Sequence, residues 1–201
     1  MDRENPATAM PFVRAAFDRL KDLLRDGRMT QACAMMFGTC RSWGAELKDL
    51  YLHANEISLA EQDFLTQFFI TRFRGMPQSA ELFDAPPEAV FLMAYTAFPY
   101  LDALLEELTL GDHAGFDEDG NWLVRRLMAG ELEHEHALLR AIHGENSWQF
   151  DLMPLFDSKS LAMQDFIQRE FSGDFRAFLW RYVAEHDLPF DMTQAWLPVK
   201  T

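Results

Sequence analysis

The densest run of potential metal ligands and acid–base groups is Glu131-Leu132-Glu133-His134-Glu135-His136, with His143 one heptad beyond the last of these histidines. Carboxylates and imidazoles are the side chains that hold iron, manganese or zinc and that move protons near neutrality. On a helix turning about 100° per residue, Val124, Leu127, Met128, Leu132, Leu138, Leu139 and Ile142 define an apolar arc. Glu131 and Glu135 fall near the middle of that arc and His134 at one edge, so two carboxylates are expected to face inward. Glu131 with His134 then forms E-x-x-H, the spacing by which one helix of a di-iron bundle supplies a carboxylate and an imidazole. The match is partial, because no second E-x-x-H occurs in the chain. A metal-dependent, oxidoreductase-like helical enzyme, with Glu131, His134 and Glu135 among its ligands to iron, manganese or zinc, is therefore the alternative function.

The same carboxylates have a second use. Arg72 sits within the Phe64, Phe68, Phe69 stripe of the preceding half, and Glu61 lies on that face. A buried arginine needs an anion and buried glutamates need a cation. A structural network of Arg72, Glu61, Glu131 and Glu135 meets both needs and is the preferred reading, with no cofactor.

Other signals fail on spacing. Asp117, Asp119 and Gly120 match part of a calcium loop, but its first ligand would fall on Gly115 and its last on Arg126, which excludes an EF-hand. No G-x-S-x-G elbow and no glycine-rich phosphate loop occurs, so the sequence identifies no catalytic residue. Cys33 and Cys40, placed on one continuous helix, lie roughly 10 Å apart along its axis and cannot bridge. Two unpaired cysteines fit a reducing compartment.

The elements that must carry these residues read as helical. Phe12, Val13, Ala16, Phe17, Leu20, Leu23 and Leu24 make one stripe from Thr8 to Asp26, closed by Gly27. A second helix is expected from Thr30 to Asn55, with Gly38 and Gly44 marking a bend or a close helix contact. Ser58-Leu59-Ala60-Glu61 reads as a capping box opening a third helix. Pro86-Pro87 opens another. The acidic, turn-rich stretch 109–120 is expected to be a loop between two helical halves, with helices resuming over Asn121–His143, Ser158–Phe171 and Gly173–His186. The expected fold is an all-α, single-domain bundle of roughly six to eight helices spanning residues 1–201.

Composition narrows the partners. The 32 acidic residues outnumber the 18 basic ones, and the net charge of −14 repels nucleic acid and anionic membranes. No apolar stretch approaches the roughly 18 residues of a membrane span, and the N-terminus lacks the basic start and apolar run of a signal peptide. A cytoplasmic location is expected. Length, acidity and expected helical content are similar to those of helical redox-enzyme maturation chaperones and toxin-neutralising proteins. The preferred function is accordingly a non-enzymatic, acidic protein-binding module, an inhibitor, immunity protein or chaperone, whose protein partner has a basic surface.

Overall fold

The structure is a computed structural model and describes residues 5–77, 84–97, 105–132, 137–144 and 147–199. In chain order the elements are α1 (Pro6–Arg25), α2 (Met29–Cys33), α3 (Gly38–His53), α4 (Glu56–Ala60), α5 (Phe64–Gly75) and α6 (Pro87–Ala97). These are followed by β1 (Leu108–Phe116), β2 (Trp122–Met128), β3 (Glu131–Leu132), β4 (Leu138–His143) and β5 (Trp148–Asp151), then α7 (Met153–Phe171), α8 (Phe175–Glu185) and a 3-10 turn (Gln194–Trp196). The fold is mixed α/β, which corrects the all-α bundle. The chain forms two compact units, Met1–Arg41 with Leu92–Pro154, and Ser42–Phe91 with Leu155–Thr201.

The first unit is built on the antiparallel sheet. Its strands run β1-β2-β4-β5, with β3 pairing β2 on the side that β4 also occupies. The segment expected as an acidic loop is therefore strand β1 and the turn after it, and the segment expected as one helix, Asn121–His143, is β2, β3 and β4. Two features of the residues explain the strands. Trp122, Val124 and Arg126 are buried while Leu123 and Arg125 are half-exposed, a period of two that a 3.6-residue period cannot produce. Ala129 and Gly130 both have positive φ, 50° and 85°, which is the two-residue hairpin loop that reverses the chain between Met128 and its partner Glu131.

Asp117-Glu118-Asp119-Gly120 is likewise a hairpin turn. Asp117 Oδ1 accepts from the backbone N–H groups of Asp119 and Asn121, and Oδ2 accepts from Asn121 Nδ2. Arg140 Nε on β4 pairs with Asp117 Oδ2 at 2.8 Å. Burial by itself would raise the Asp117 carboxyl. The Asn121 hydrogen bonds, the Arg140 charge and the Asp119 N–H outweigh it and hold the group below the ordinary aspartate range. A depressed carboxyl contributes stability that is present above its unfolded value and lost as pH falls through its folded one. Asp117→Asn should cost about 1 kcal/mol at pH 7 by urea titration. That deficit should close as pH falls below about 4; a deficit unchanged at acid pH would contradict the ion-pair reading.

Both sheet edges are covered from within the unit. Arg14 of α1 donates to Leu110 O at 3.0 Å and Gly111 O at 2.7 Å, and Lys21 donates to Leu108 O at 2.9 Å, so α1 cations take the free carbonyls of β1. At the other edge Phe37 N donates to Phe150 O and Phe150 N to Met35 O, both at 2.9 Å. An edge closed in this way resists pairing with other chains. Helix α1 is capped by Asn5, whose Oδ1 accepts from Ala7 N, starts on Pro6, and buries Ala9, Val13, Phe17, Leu20 and Leu24 at helical spacing.

The link at residues 34–37 splits the expected Thr30–Asn55 helix, placing Cys33 on α2 and Cys40 on α3. Neither cysteine is in a disulfide. Cys40 is fully buried, and burial pushes its thiol up to about 12, while Cys33 is half-exposed. Iodoacetamide at pH 8 should therefore label one cysteine, Cys33, in the native protein and a second only after unfolding. Rapid native labelling of both would contradict the buried placement.

The second unit is helical with an aromatic core. Trp43 meets Phe69, Phe91 and Phe156 with ring centroids 5.8, 5.8 and 5.0 Å away. Helix α5 is its central element, with Leu65, Phe68, Phe69, Ile70 and Phe73 all buried. The cap of α5 is Asp63, whose Oδ1 accepts from Leu65 N and Thr66 N. Asn55 caps the short α4 ahead of it, and these two replace the expected Ser58–Glu61 box.

Candidate functional site

The residues singled out by sequence are dispersed. Glu131 is exposed on the two-residue strand β3, and β3 pairs with β2 in a sheet, so the helix that would have turned its carboxylate inward does not exist. His134 and Glu135 lie outside the described residues. Glu61 is exposed at the C-cap of α4. Arg72 is half-buried and donates through Nη1 to Tyr182 Oη at 3.0 Å. Among the described residues, no group of three or more His, Cys, Asp and Glu side chains is placed to hold a metal ion.

The buried arginine of α5 is Arg74, two residues beyond the expected one and 2% exposed. A helix enclosed on nearly every side has no single inward stripe, so periodicity alone could not choose between the two positions. Arg74 Nε donates to Tyr51 O at 2.9 Å, and Nη2 donates to Leu50 O at 2.6 Å and Ala54 O at 2.8 Å. These carbonyls lie at and just beyond the C-terminal end of α3, where helix carbonyls carry partial negative charge, and Leu50 O also accepts from Ala54 N at 3.0 Å. Burial pulls the Arg74 guanidinium down to about 10, which leaves it charged at neutral pH. Its third nitrogen, Nη1, is buried and has no hydrogen-bond partner.

Arg74 is also part of the wall of a groove of about 750 Å³ in the second unit. The end of α5 and the residues after it, Gly75, Met76 and Pro77, form one side; Trp180 and Val183 of α8 form another. The tail closes the third side with Pro189, Phe190 and Met192. The tail is fixed there by two devices. Asp191 N donates to Gly75 O at 2.8 Å, and the Phe190 ring lies so close over Gly75 that a Cβ there would fall 2.4 Å from it. Asp191 Oδ1 then accepts from Thr193 N and Gln194 N, starting the 3-10 turn. Trp180 remains 56% exposed at the groove margin. The lining is mixed, with Arg74, Asp191 and Gln194 among the apolar side chains, and a concavity that combines apolar surface with a few polar groups is the usual form of a binding site.

The first unit has a second groove, of about 620 Å³, with Phe12, Ala16 and Leu23 of α1 facing Met35 and Trp148. His143 stands edge-on to Trp148 there, with ring centroids 5.2 Å apart. Its polar groups include Arg19, Gln31 and Ser147, and no buried charge enters its wall.

Sequence reasoning missed both grooves. The second-unit groove is assembled from α5, α8 and the tail, segments more than 100 residues apart in part, and the local signals were Gly75 and the Pro189-Phe190 pair. No family model, curated protein or solved structure matches this chain.

Proposed function

We propose that the chain is a non-enzymatic module that binds a protein partner with a basic surface, as an inhibitor, immunity protein or chaperone does, and that the Arg74–Trp180 groove receives an apolar segment of that partner. The observation that carries this reading is a preformed groove walled by Met76, Met192, Pro77, Pro189 and Phe190 with a half-exposed tryptophan at its margin. Methionines adapt to varied apolar surfaces, and tryptophan is the residue most enriched among those that dominate binding energy at protein interfaces. Proline and a ring stacked on glycine hold the walls in place, which lowers the ordering cost of binding. The net charge of −14 supports a basic partner, because opposite charge speeds encounter and excludes acidic competitors.

Affinity capture from cell extract tests the reading. At low salt a stoichiometric basic protein should be recovered, and raising the salt to about 0.5 M should release most of it, since screening shortens the electrostatic reach to a few ångströms. Recovery of no stoichiometric protein at low salt would count against the reading.

A further inference from the structure

Helix α1 carries two apolar faces. One is the buried stripe of Ala9, Val13, Phe17, Leu20 and Leu24. The other, with Phe12, Ala15, Ala16, Arg19 and Leu23 at helical spacing, lines the groove of about 620 Å³ in the first unit. Leu23, Met35 and Trp148 in that wall are buried, Phe12 stands 53% exposed, and Ala15, Ala16 and Ala34 contribute only methyl groups between them. The chain has 32 acidic residues, yet none belongs to this wall, and its one permanently charged residue is Arg19. The other α1 cations are engaged: Arg14 with Asp112, Lys21 with Asp18 and Arg25 with Asp22, at 3.0, 3.3 and 3.0 Å. Arg19 is exposed and, among the described residues, makes no hydrogen bond or ion pair. The groove therefore reverses the sign of an acidic protein locally, and the charge it complements is negative. A dianion would find a single fixed cation there, and a polypeptide would bring backbone amides that a largely apolar wall cannot satisfy. A small molecule with one negative headgroup on an apolar stem meets neither cost.

We propose that this groove binds a small monoanionic amphiphile, of the class of medium-chain carboxylic acids, with its carboxylate on the Arg19 guanidinium and its chain along Phe12, Ala16, Leu23, Met35 and Trp148. An exposed arginine contributes little to the fold, and a guanidinium without a partner keeps its whole donor fork for a carboxylate. The volume lies within the range of small-molecule sites, about 300–1,000 Å³. The site belongs to the first unit and does not depend on the protein-binding groove of the second.

The test uses the full chain and three probes: octanoate, octan-1-ol and acetate. The ε-methyl resonance of Met35 is followed during titration at low salt, with the methyls of Met76 and Met192 in the other groove as internal controls, each assigned by its loss in the corresponding leucine variant. Octanoate should move the Met35 methyl with an affinity at least about fivefold tighter than octan-1-ol, and acetate should not move it. Arg19→Gln, at an exposed position, should leave the unfolding curve unchanged and bring octanoate to the affinity of the alcohol. Equal affinities of octanoate and octan-1-ol on the unaltered chain would overturn the anionic headgroup and with it the inference. So would a Met35 methyl that octanoate does not move, or an octanoate affinity that Arg19→Gln leaves intact. Shifts confined to Met76 and Met192 would place the amphiphile in the other groove and overturn the assignment equally. Failure to capture a protein partner from extract is a separate outcome that strikes the proposed function alone.

Discussion

Arg74→Met should destabilise the protein by about 4 kcal/mol, the larger of the two arginine effects in α5. Methionine preserves most of the volume, so the loss is chiefly of three charge-assisted hydrogen bonds to Leu50, Tyr51 and Ala54 carbonyls, left buried or nearly so at the end of α3. A bond from a charged donor contributes about 1.5–3 kcal/mol, and relief of the buried charge returns part of the sum. Arg72→Met, by contrast, removes a single bond from a half-buried side chain to Tyr182 Oη and should cost about 1 kcal/mol. Urea titration of the two variants side by side checks the assignment. Equal losses, or a larger one at Arg72, would return the structural role to the position that the helical stripe suggested.

The second large effect is expected at Gly44. A Cβ built there would lie 2.0 Å from the Pro87 carbonyl oxygen, 2.9 Å from its carbon and 3.2 Å from Phe91 N, all backbone atoms at the start of α6. Backbone cannot swing aside as a side-chain end can, so Gly44→Ala must part the two helices and should cost at least about 3 kcal/mol. Gly38→Ala is the control. Nothing lies within 4 Å of a Cβ at Gly38, and alanine there should be neutral or stabilising by up to about 1 kcal/mol. Thermal unfolding of both variants measures the contrast; two similar small shifts would contradict the close helix approach.

These residues also show what could be read in advance. Helix α1 was legible because its stripe is long and regular and Gly27, at φ +67°, closes it. The start of α6 was legible from Pro86-Pro87. Gly38 and Gly44 were legible only as a bend or a close contact; the close contact is at Gly44, and its partner in space was not legible. The sheet was not legible, for a physical reason: Trp122 to Met128 alternates in burial, but its outward positions, Leu123 and Leu127, are apolar, and a run apolar on both faces satisfies a helical template as well as a strand. The distinguishing signals were local turns, Asp117-x-Asp119-Gly120 and Ala129-Gly130, which resemble a calcium loop and a mid-helix break when taken singly. The E-x-x-H argument fell with the helix that carried it, since a one-element change of period turns Glu131 from an inward ligand to an exposed strand residue. The groove could not be read at all, because nothing local records that the tail returns to lie on Gly75.

The central claim is that the Arg74–Trp180 groove is where a protein partner binds, and Trp180→Glu tests it most directly. Trp180 is more than half exposed, so the substitution should leave stability within about 0.5 kcal/mol, while a carboxylate at the groove margin opposes the apolar contact. The measurement is the amount of the captured basic partner retained at low salt by the variant relative to the unaltered chain, at equal loading and with matched unfolding curves. The groove reading predicts at least a tenfold loss. Retention equal to that of the unaltered chain would show that the partner binds elsewhere and would contradict the account.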